Sequence, residues 1–419
     1  MNVTRELFHA PPEGCAAYAE ACYARTDGVA MLNTIRYEAV HYLPDGGQIW
    51  YAPRIFRRRS EDNGRTWSGE TDLHRAEPGK PSQLERYHCG TFLHPGWNRI
   101  VSLMGEHEVN PSESTFGTGN RVQRTYRTLY QLSGDGGRTW TAARQIFDGR
   151  PGYDAEHWGP DLRHGTTGGV VAGQPVFMPD GTLVIGIVIF HPKAPLQDRS
   201  DRARELYSTV CFARGRLADS GDRIEWELGD SIHVEFPKAA GGCCEPALLH
   251  LNGQRLIATL RCQGDEATGI YATRWSAVSG DGGRTWGPVF PLSYEDGSTV
   301  WTPASVHSFF TSSKTGKTYV LANILDHAVH AQTPRYPLTI AEFDTTGCRV
   351  LKKTVRVIQD LPPGAPVERR YTNWGFYEER GTGDLVMLLP EQPKYMNFSD
   401  MKRPEDYTAD CLRYRIRLT

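Results

Sequence analysis

No run in this chain approaches 18 consecutive apolar residues, so no membrane-spanning helix is expected. There is no excess of one charge: 47 Lys and Arg stand against 49 Asp and Glu, a net charge of −2. A nucleic-acid partner held by bulk electrostatics needs a concentrated basic face, and this balance argues against one. The first residues, Met1-Asn2-Val3-Thr4-Arg5-Glu6, lack a basic stretch followed by an apolar one. No secretory leader is read there, which points to the cytoplasm, or to a secreted or periplasmic protein only if a leader has been removed. The nine cysteines are odd in number and contain no CxxC pair, so neither a disulfide framework nor a zinc site is expected and the thiols are read as reduced. The segment with Asp326, His327 and His330 has histidines but no tight ligand set. No metal and no cofactor is expected. Helical signal is scarce too, apart from a short stretch from Ala16 to Ala24.

Turns and strand formers are plentiful. Glycine numbers 43, aromatics make up 11% and apolar residues 39%, the composition of an all-β protein with a sizeable core. One octapeptide of the form S-x-D-x-G-R-T-W occurs three times, at Ser60–Trp67, Ser133–Trp140 and Ser279–Trp286. Its aspartates lie 73 and then 146 residues apart, so one copy is skipped. The degenerate Asp219-Ser220-Gly221-Asp222, followed by Trp226, falls in the gap. Asp accepting from backbone N–H groups, Gly at positive φ and Trp folding back describe a turn clasp, not catalytic machinery.

Six segments have the form apolar strand, turn, apolar strand, with turns near Asp45, Gly96, Asp180, Gly253, Gly316 and Gly383. A spacing near 70 residues suits one four-stranded antiparallel sheet each. Six such sheets set radially form a six-bladed β-propeller, read here as one domain over residues 1–419, with residues 1–30 packing on or closing the ring. The alternating Cys411–Leu418 is expected to be a strand closing the ring against the first blade. Strands that begin at a central funnel bring distant residues together. Counting back from each turn nominates Arg36, His88, Gly173, Glu245, the Ser305–His307 stretch and Tyr371.

The octapeptide is the Asp-box of the sialidase superfamily, which the chain resembles. That resemblance implies an exo-acting glycosidase that removes a terminal carboxylate-bearing sugar from a glycan with retention. Arg36 stands at the family's distance before Pro44-Asp45-Gly46, although Tyr37-Glu38 follow it in place of Ile-Pro. Glu245-Pro246 with Arg261, sixteen residues on, matches a family Glu and Arg. Arg335 resembles the third carboxylate-binding Arg, Tyr371 the nucleophile and Glu391 its companion carboxylate. Three guanidinium forks on one carboxylate would each contribute roughly 1.5–3 kcal/mol net. A phenol is a poor nucleophile near neutrality unless a carboxylate such as Glu245 takes its proton. The family's Asp general acid has no counterpart, because Asp62 belongs to the first Asp-box. His88 is the leading substitute, followed by the pairs Glu106 with His107 and Asp161 with His164. The missing acid keeps two further readings in view. One is a lyase cleaving a uronate glycan by β-elimination with His or Tyr. The other is a binding propeller without turnover. The buried-looking Cys243-Cys244 and the Arg57-Arg58-Arg59 run, the latter taken as a strand with a solvated face, are read as structural.

Overall fold

The computed structural model describes residues 1–42, 48–76, 84–109, 125–191, 207–392 and 407–418. It is all-β, with six antiparallel sheets forming the six blades of a propeller and, among the described residues, helix limited to single 3-10 turns. Blade 1 runs outward through Ala16–Tyr23, Met31–Tyr42, Gln48–Ser60 and Ser68–Arg75, and blade 2 through Leu84–His94, Arg99–Glu108, Arg127–Ser133 and Arg144–Gln145. Blade 3 follows as Gly168–Phe177, Leu183–His191, Tyr207–Leu217 and Ile224–Leu228, and blade 4 as Cys243–Asn252, Arg255–Cys262, Thr273–Ser279 and Phe290–Pro291. Blade 5 comprises Ser308–Thr311, Thr318–Ala322 and Leu338–Asp344, with Arg349–Val350 and Arg356–Gln359 both pairing onto the third strand. In blade 6, Arg370–Tyr371 and Gly375–Glu378 pair with Leu385–Gln392, which leads to Cys411–Arg417 and then to Asn2–His9.

Two sequence expectations are corrected here. Ala16–Tyr23 is a strand, not a helix. Its alternation explains why: Ala17, Ala19, Ala21 and Tyr23 pack into the blade-1 core, leaving Tyr18, Glu20 and Cys22 on the opposite face. The innermost strand of blade 6 runs so close to this strand that Gly375 has no room for a side chain. A Cβ on Gly375 would lie 2.5 Å from the Ala19 carbonyl oxygen. The hairpin that begins at Arg36 is therefore the second and third strands of blade 1, whereas the corresponding segments in blades 2 to 6 are first and second strands. The expected turn at Asp45 lies outside the described residues. Cys411–Arg417 closes the ring from within blade 6, with Asn2–His9 zipped along it from Asn2↔Arg417 to His9↔Cys411. It meets blade 1 through the parallel bridge Ala16↔Ala409, through Arg413 Nη1 donating to the Gly64 carbonyl at 3.0 Å, and through Cys411 in the blade-1 core.

The three Asp-boxes and the degenerate copy all connect a third strand to a fourth. In each full copy the Asp accepts two backbone N–H bonds and a Thr hydroxyl, as Asp135 does from Arg138 N at 3.0 Å, Thr139 N at 2.9 Å and Thr139 Oγ1 at 2.6 Å. The arginine run beside the first box is not solvated throughout. Arg57 is buried with its guanidinium 3.9 Å from the Trp140 ring centre, Arg58 donates to Asn33, and Arg59 donates to the Gly136 carbonyl. Blade 1 thus clasps the Asp-box of blade 2. Between blades the core is continuous: Val101, Leu103, Trp158, Ile185 and Trp226 form one inter-blade cluster. Each large apolar side chain so buried contributes about 1.5–3 kcal/mol.

Candidate active site

Register fixes which end of the ring holds the chemistry. Glu245 and Arg261 lie at the end where the first strand of blade 4 starts and the second ends, while the Ser279–Trp286 Asp-box lies at the other end. Tyr18 and Arg36 are cross-strand partners at the corresponding end of blade 1. Arg335 and Arg370, joined by a parallel bridge, lie at that end of blades 5 and 6.

Arg261 Nη1 donates to Glu245 Oε2 at 2.6 Å. Glu245 sits at φ +40°, a left-handed conformation rare for a non-glycine residue, at a bulge between Cys244 and Ala247. The next residue, Pro246, is pressed into blade 3. A Cβ on Gly173 would lie 2.0 Å from the Pro246 carbonyl oxygen, and Gly173 itself has φ +84°. Gly173 is thus mid-strand support for the Glu245 bend rather than a strand start. Burial pushes the Glu245 carboxyl up, but Arg261, Arg335 and Arg274 outweigh it and hold it below its usual range, so it is ionised near neutrality.

Two of the guanidiniums around it, Arg335 and Arg274, bond only to neutral groups. Arg335 is buried and donates to the Gln332 carbonyl at 3.0 Å, the Gln332 side chain at 3.2 Å and the edges of Thr372 and Ala304, all neutral. Burial, then Arg261 and Arg370, push it down to about 9. Arg274 is fully buried behind Arg261, donates to Ser305, and is lowered to about 10 by burial and then Arg261. Arg370 is lowered to about 10, first by burial, and feels Tyr18, Tyr407 and Arg261. A guanidinium does not give up its proton in a protein, so these shifts reflect the cost of burying the charge first and the nearby like charge second.

On the blade-1 side, Arg36 pairs with Glu38 at 3.2 Å and lies over the Tyr18 ring at 4.6 Å. Tyr18 donates to Glu38 at 3.2 Å and accepts from Gln392 at 2.9 Å, and Tyr407 donates to the same Glu38 oxygen. Tyr18 is among the groups whose charge Arg36, Arg335 and Arg370 feel, so this aromatic pair joins the two halves of the cluster. Among the described residues the cluster holds five guanidiniums (Arg36, Arg261, Arg274, Arg335, Arg370), with the carboxylates of Glu38 and Glu245 and, beside Arg36, the carboxyl of Glu20. Water still reaches it: side-chain exposure is 32% at Glu245 and 20% at both Arg36 and Glu38.

The structure does not bring Tyr371 to this cluster. Its side chain is wholly buried in the blade-6 core with Leu338, Leu389 and Tyr414. It feels Arg369, Glu391 and Arg5, and the hydroxyl approaches Gln359 without making a hydrogen bond of normal geometry. Strand alternation explains this: Arg370 and Tyr371 are adjacent, so when one faces the cluster the other faces the core. Glu391 pairs with Arg369 at 3.0 Å. His88 lies 2.8 Å from Thr91 Oγ1 and 3.7 Å from Glu20, its pKa driven well below the usual range by burial and then by Arg57 and Arg36. Glu106 is bound by Arg86 and Arg127, and His107 packs on Tyr126 and is lowered to about 4 by burial. Asp161 accepts from Ser231, and His164 lies 3.4 Å from Glu108. His307 is buried against Thr259. All nine cysteines are free. Among the described residues no group of three His, Cys, Asp or Glu could hold a metal ion, and no helix is long and apolar enough to cross a membrane.

Sequence reasoning missed Glu20, Tyr18, Glu38, Arg274, Arg370 and Tyr407. Glu20 shares the Tyr18 face of the innermost blade-1 strand, accepts from Thr91 N at 3.3 Å and keeps 32% side-chain exposure. Burial raises its carboxyl to about 7, against the pull of Thr91 N–H and Arg36. Reading Ala-Tyr-Ala-Glu-Ala-Cys as an alternation of period two would have found Tyr18 and Glu20.

Residues 107–356 match the family described as BNR repeat-like domain. No curated protein matches the chain by sequence. Among solved structures, a mutant of NanB sialidase from Streptococcus pneumoniae is similar over 98% of this chain and 70% of its own, at 10% identity and TM-score 0.59. The intramolecular trans-sialidase from Ruminococcus gnavus, in complex with oseltamivir carboxylate, is similar over 99% and 97%, at 11% identity and TM-score 0.58. A mutant of the α-L-arabinofuranosidase Arb93A from Fusarium graminearum is similar over 98% and 96%, at 13% identity and TM-score 0.50. At these identities the likeness is one of fold, a sialidase-like propeller also used by other glycosidases.

Proposed function

We propose that this chain, which belongs to the BNR repeat-like domain family, is a glycoside hydrolase that removes a terminal carboxylate-bearing sugar from a glycan. The observation that carries this reading is Arg335, a buried cation bonded only to neutral groups and crowded by Arg261 and Arg370. A site built this way gains most from an anion that accepts from several forks at once. In this reading Arg261, Arg335 and Arg370 bind the sugar carboxylate, and ionised Glu245 fixes Arg261 and faces the positive charge that develops at the anomeric carbon.

The proton inventory follows from the carboxyls. Glu20, near half protonated at neutrality, gives its proton to the leaving glycosidic oxygen as the C–O bond breaks. The Tyr18 oxygen attacks the anomeric carbon and passes its proton to Glu38, in the role the family resemblance assigns to Tyr371. Water then displaces Tyr18 while Glu20 takes up its proton and the phenol is reprotonated from Glu38. Tyr18 and Glu20 are two residues apart on one strand face, roughly 7 Å between Cα atoms, which lets them flank one glycosidic bond.

A second reading, β-elimination on a uronate, is favoured by the seclusion of Tyr371 together with two phenols, Tyr18 and Tyr407, beside guanidiniums. Both readings are tested by incubating the protein with aryl sialosides, aryl uronides and uronate oligomers, while following released aglycone and ultraviolet absorbance of a new double bond. Aglycone release that Arg335→Ala weakens about ten- to a hundredfold in kcat/KM is expected. Absorbance gain without aglycone release selects elimination. Neither signal, with no calorimetric binding of sialate or uronate, overturns the reading.

A further inference from the structure

The proton donor Glu20 has a neighbour that the chemistry above leaves unused. His88, on the first strand of blade 2, places Nδ1 3.7 Å from Glu20 Oε2, and its side chain is only 4% exposed. Its other ring nitrogen, Nε2, lies 2.8 Å from Thr91 Oγ1. Residues three apart on a regular strand face opposite ways, but the bulge between His88 and Gly90 puts His88 and Thr91 on one face. Thr91 also turns its backbone N–H to Glu20 Oε2 at 3.3 Å. Its hydroxyl donates on to Ser102 Oγ, its cross-strand partner, at 3.3 Å, and Arg57 Nη2 donates to the same oxygen.

This buried chain has one polarity. Arg57 can only donate, so Ser102 accepts at that end. Thr91 gives its hydroxyl proton to Ser102 and therefore accepts from His88. A neutral imidazole carries one N–H, and burial, then Arg57 and Arg36, keep His88 neutral. The proton is thus on Nε2, and Nδ1 faces Glu20 as a bare lone pair. The surroundings of Glu20 are mixed. Burial opposes its charge, while the Thr91 N–H and Arg36, from the second strand of blade 1, favour it. Arg57, from the third strand, lies beyond Ser102. The thiols of Cys22, on its own strand, and Cys89, on blade 2, are kept protonated by burial. Blade 6 presents Gly375, which has no side chain to offer. The Nδ1 lone pair adds to burial by resisting negative charge at Oε2.

We propose that His88, fixed as the Nε2–H tautomer by Thr91, Ser102 and Arg57, is a positioning residue that keeps the proton on Glu20, with Oε2 anchored by Thr91 and Oε1 left to carry it. The use of that proton rests on the hydrolase reading above. His88→Gln keeps an N–H for Thr91 and removes the lone pair. The alkaline limb of its kcat/KM profile should move down by about 0.5–1 pH unit, so that turnover of a poor leaving group falls roughly three- to tenfold on that limb with KM unchanged. Thr91→Val should move the limb the same way, and Thr91→Ser, which retains the hydroxyl, should not. A packing defect would lower activity equally at every pH and leave the limb in place; that result, or a limb that moves up, overturns the proposal. If no substrate turns over, or no alkaline limb is seen, the hydrolase reading fails and NMR decides the proposal alone. The readouts are the His88 ring-nitrogen signals of the wild type and the carboxyl ¹³C titration of Glu20 in wild type and His88→Gln. An Nε2–H tautomer with a Glu20 midpoint that falls in the variant supports it; an Nδ1–H tautomer or an unmoved midpoint overturns it.

Discussion

Replacing Glu20 by Gln separates a proton donor from a structural carboxyl. The wild-type carboxyl, raised to about 7, is protonated below that pH and loses the proton above it. If the protonated form gives up its proton to the leaving group, kcat/KM falls about tenfold per pH unit on the alkaline side of 7. Glu20→Gln should abolish that limb and lower turnover of substrates with poor leaving groups by about 10²–10⁴-fold. Aryl glycosides with acidic phenols need little help and should lose far less. Stability should move the other way. A carboxyl raised from 4.5 to about 7 on folding costs stability as pH climbs through that window, up to about 3.4 kcal/mol if fully shielded. At 32% side-chain exposure, solvent cuts this to about 1–2 kcal/mol. The Gln variant should therefore unfold at higher denaturant than wild type at pH 8, with the difference gone at pH 4. The assays are pH–rate profiles on two leaving groups and urea melts at two pH values. A variant that keeps the alkaline limb and wild-type turnover on the poor leaving group refutes the donor role.

Two other perturbations probe the frame. Tyr371→Phe removes a buried hydroxyl with no well-formed bond, so stability should change by less than about 1 kcal/mol and turnover should persist, whereas Tyr18→Phe should lose turnover in the same assay. Full loss in Tyr371→Phe with Tyr18→Phe active would reverse that assignment. Gly173→Ala places a Cβ against the Pro246 carbonyl at positive φ, so denaturant melts should show a loss of about 2–4 kcal/mol together with reduced turnover as Glu245 shifts.

The parts of this molecule visible in its sequence are those whose information is local. An Asp-box closes on itself within eight residues, so its three copies mark the repeat, and the six strand–turn–strand segments complete the blade count. Glu245 and Arg261 belong to one hairpin, and a spacing of sixteen is enough to pair them. Arg370 and Tyr371 mark the limit: one residue of parity decides which faces the cluster, and the bulges and short strands near it hide that parity from a reader of sequence. Tyr18 and Glu20 were obscured because an alanine-rich strand has the composition of a helix. Gln392, Tyr407 and Glu38 meet only because the ring closes, and no local pattern encodes contacts more than 350 residues apart.

That closure has a kinetic consequence. Asn2–His9 leaves the ribosome about 400 residues before its hydrogen-bonding neighbour, Cys411–Arg417. Until that neighbour emerges the early strand has an open edge and blade 6 lacks its outer half, so the ring that brings Tyr18 from one side of the seam to Arg370 on the other cannot close. Weakening the zipper should therefore slow the gain of ligand binding more than the gain of strand content, a separation that stopped-flow refolding can resolve.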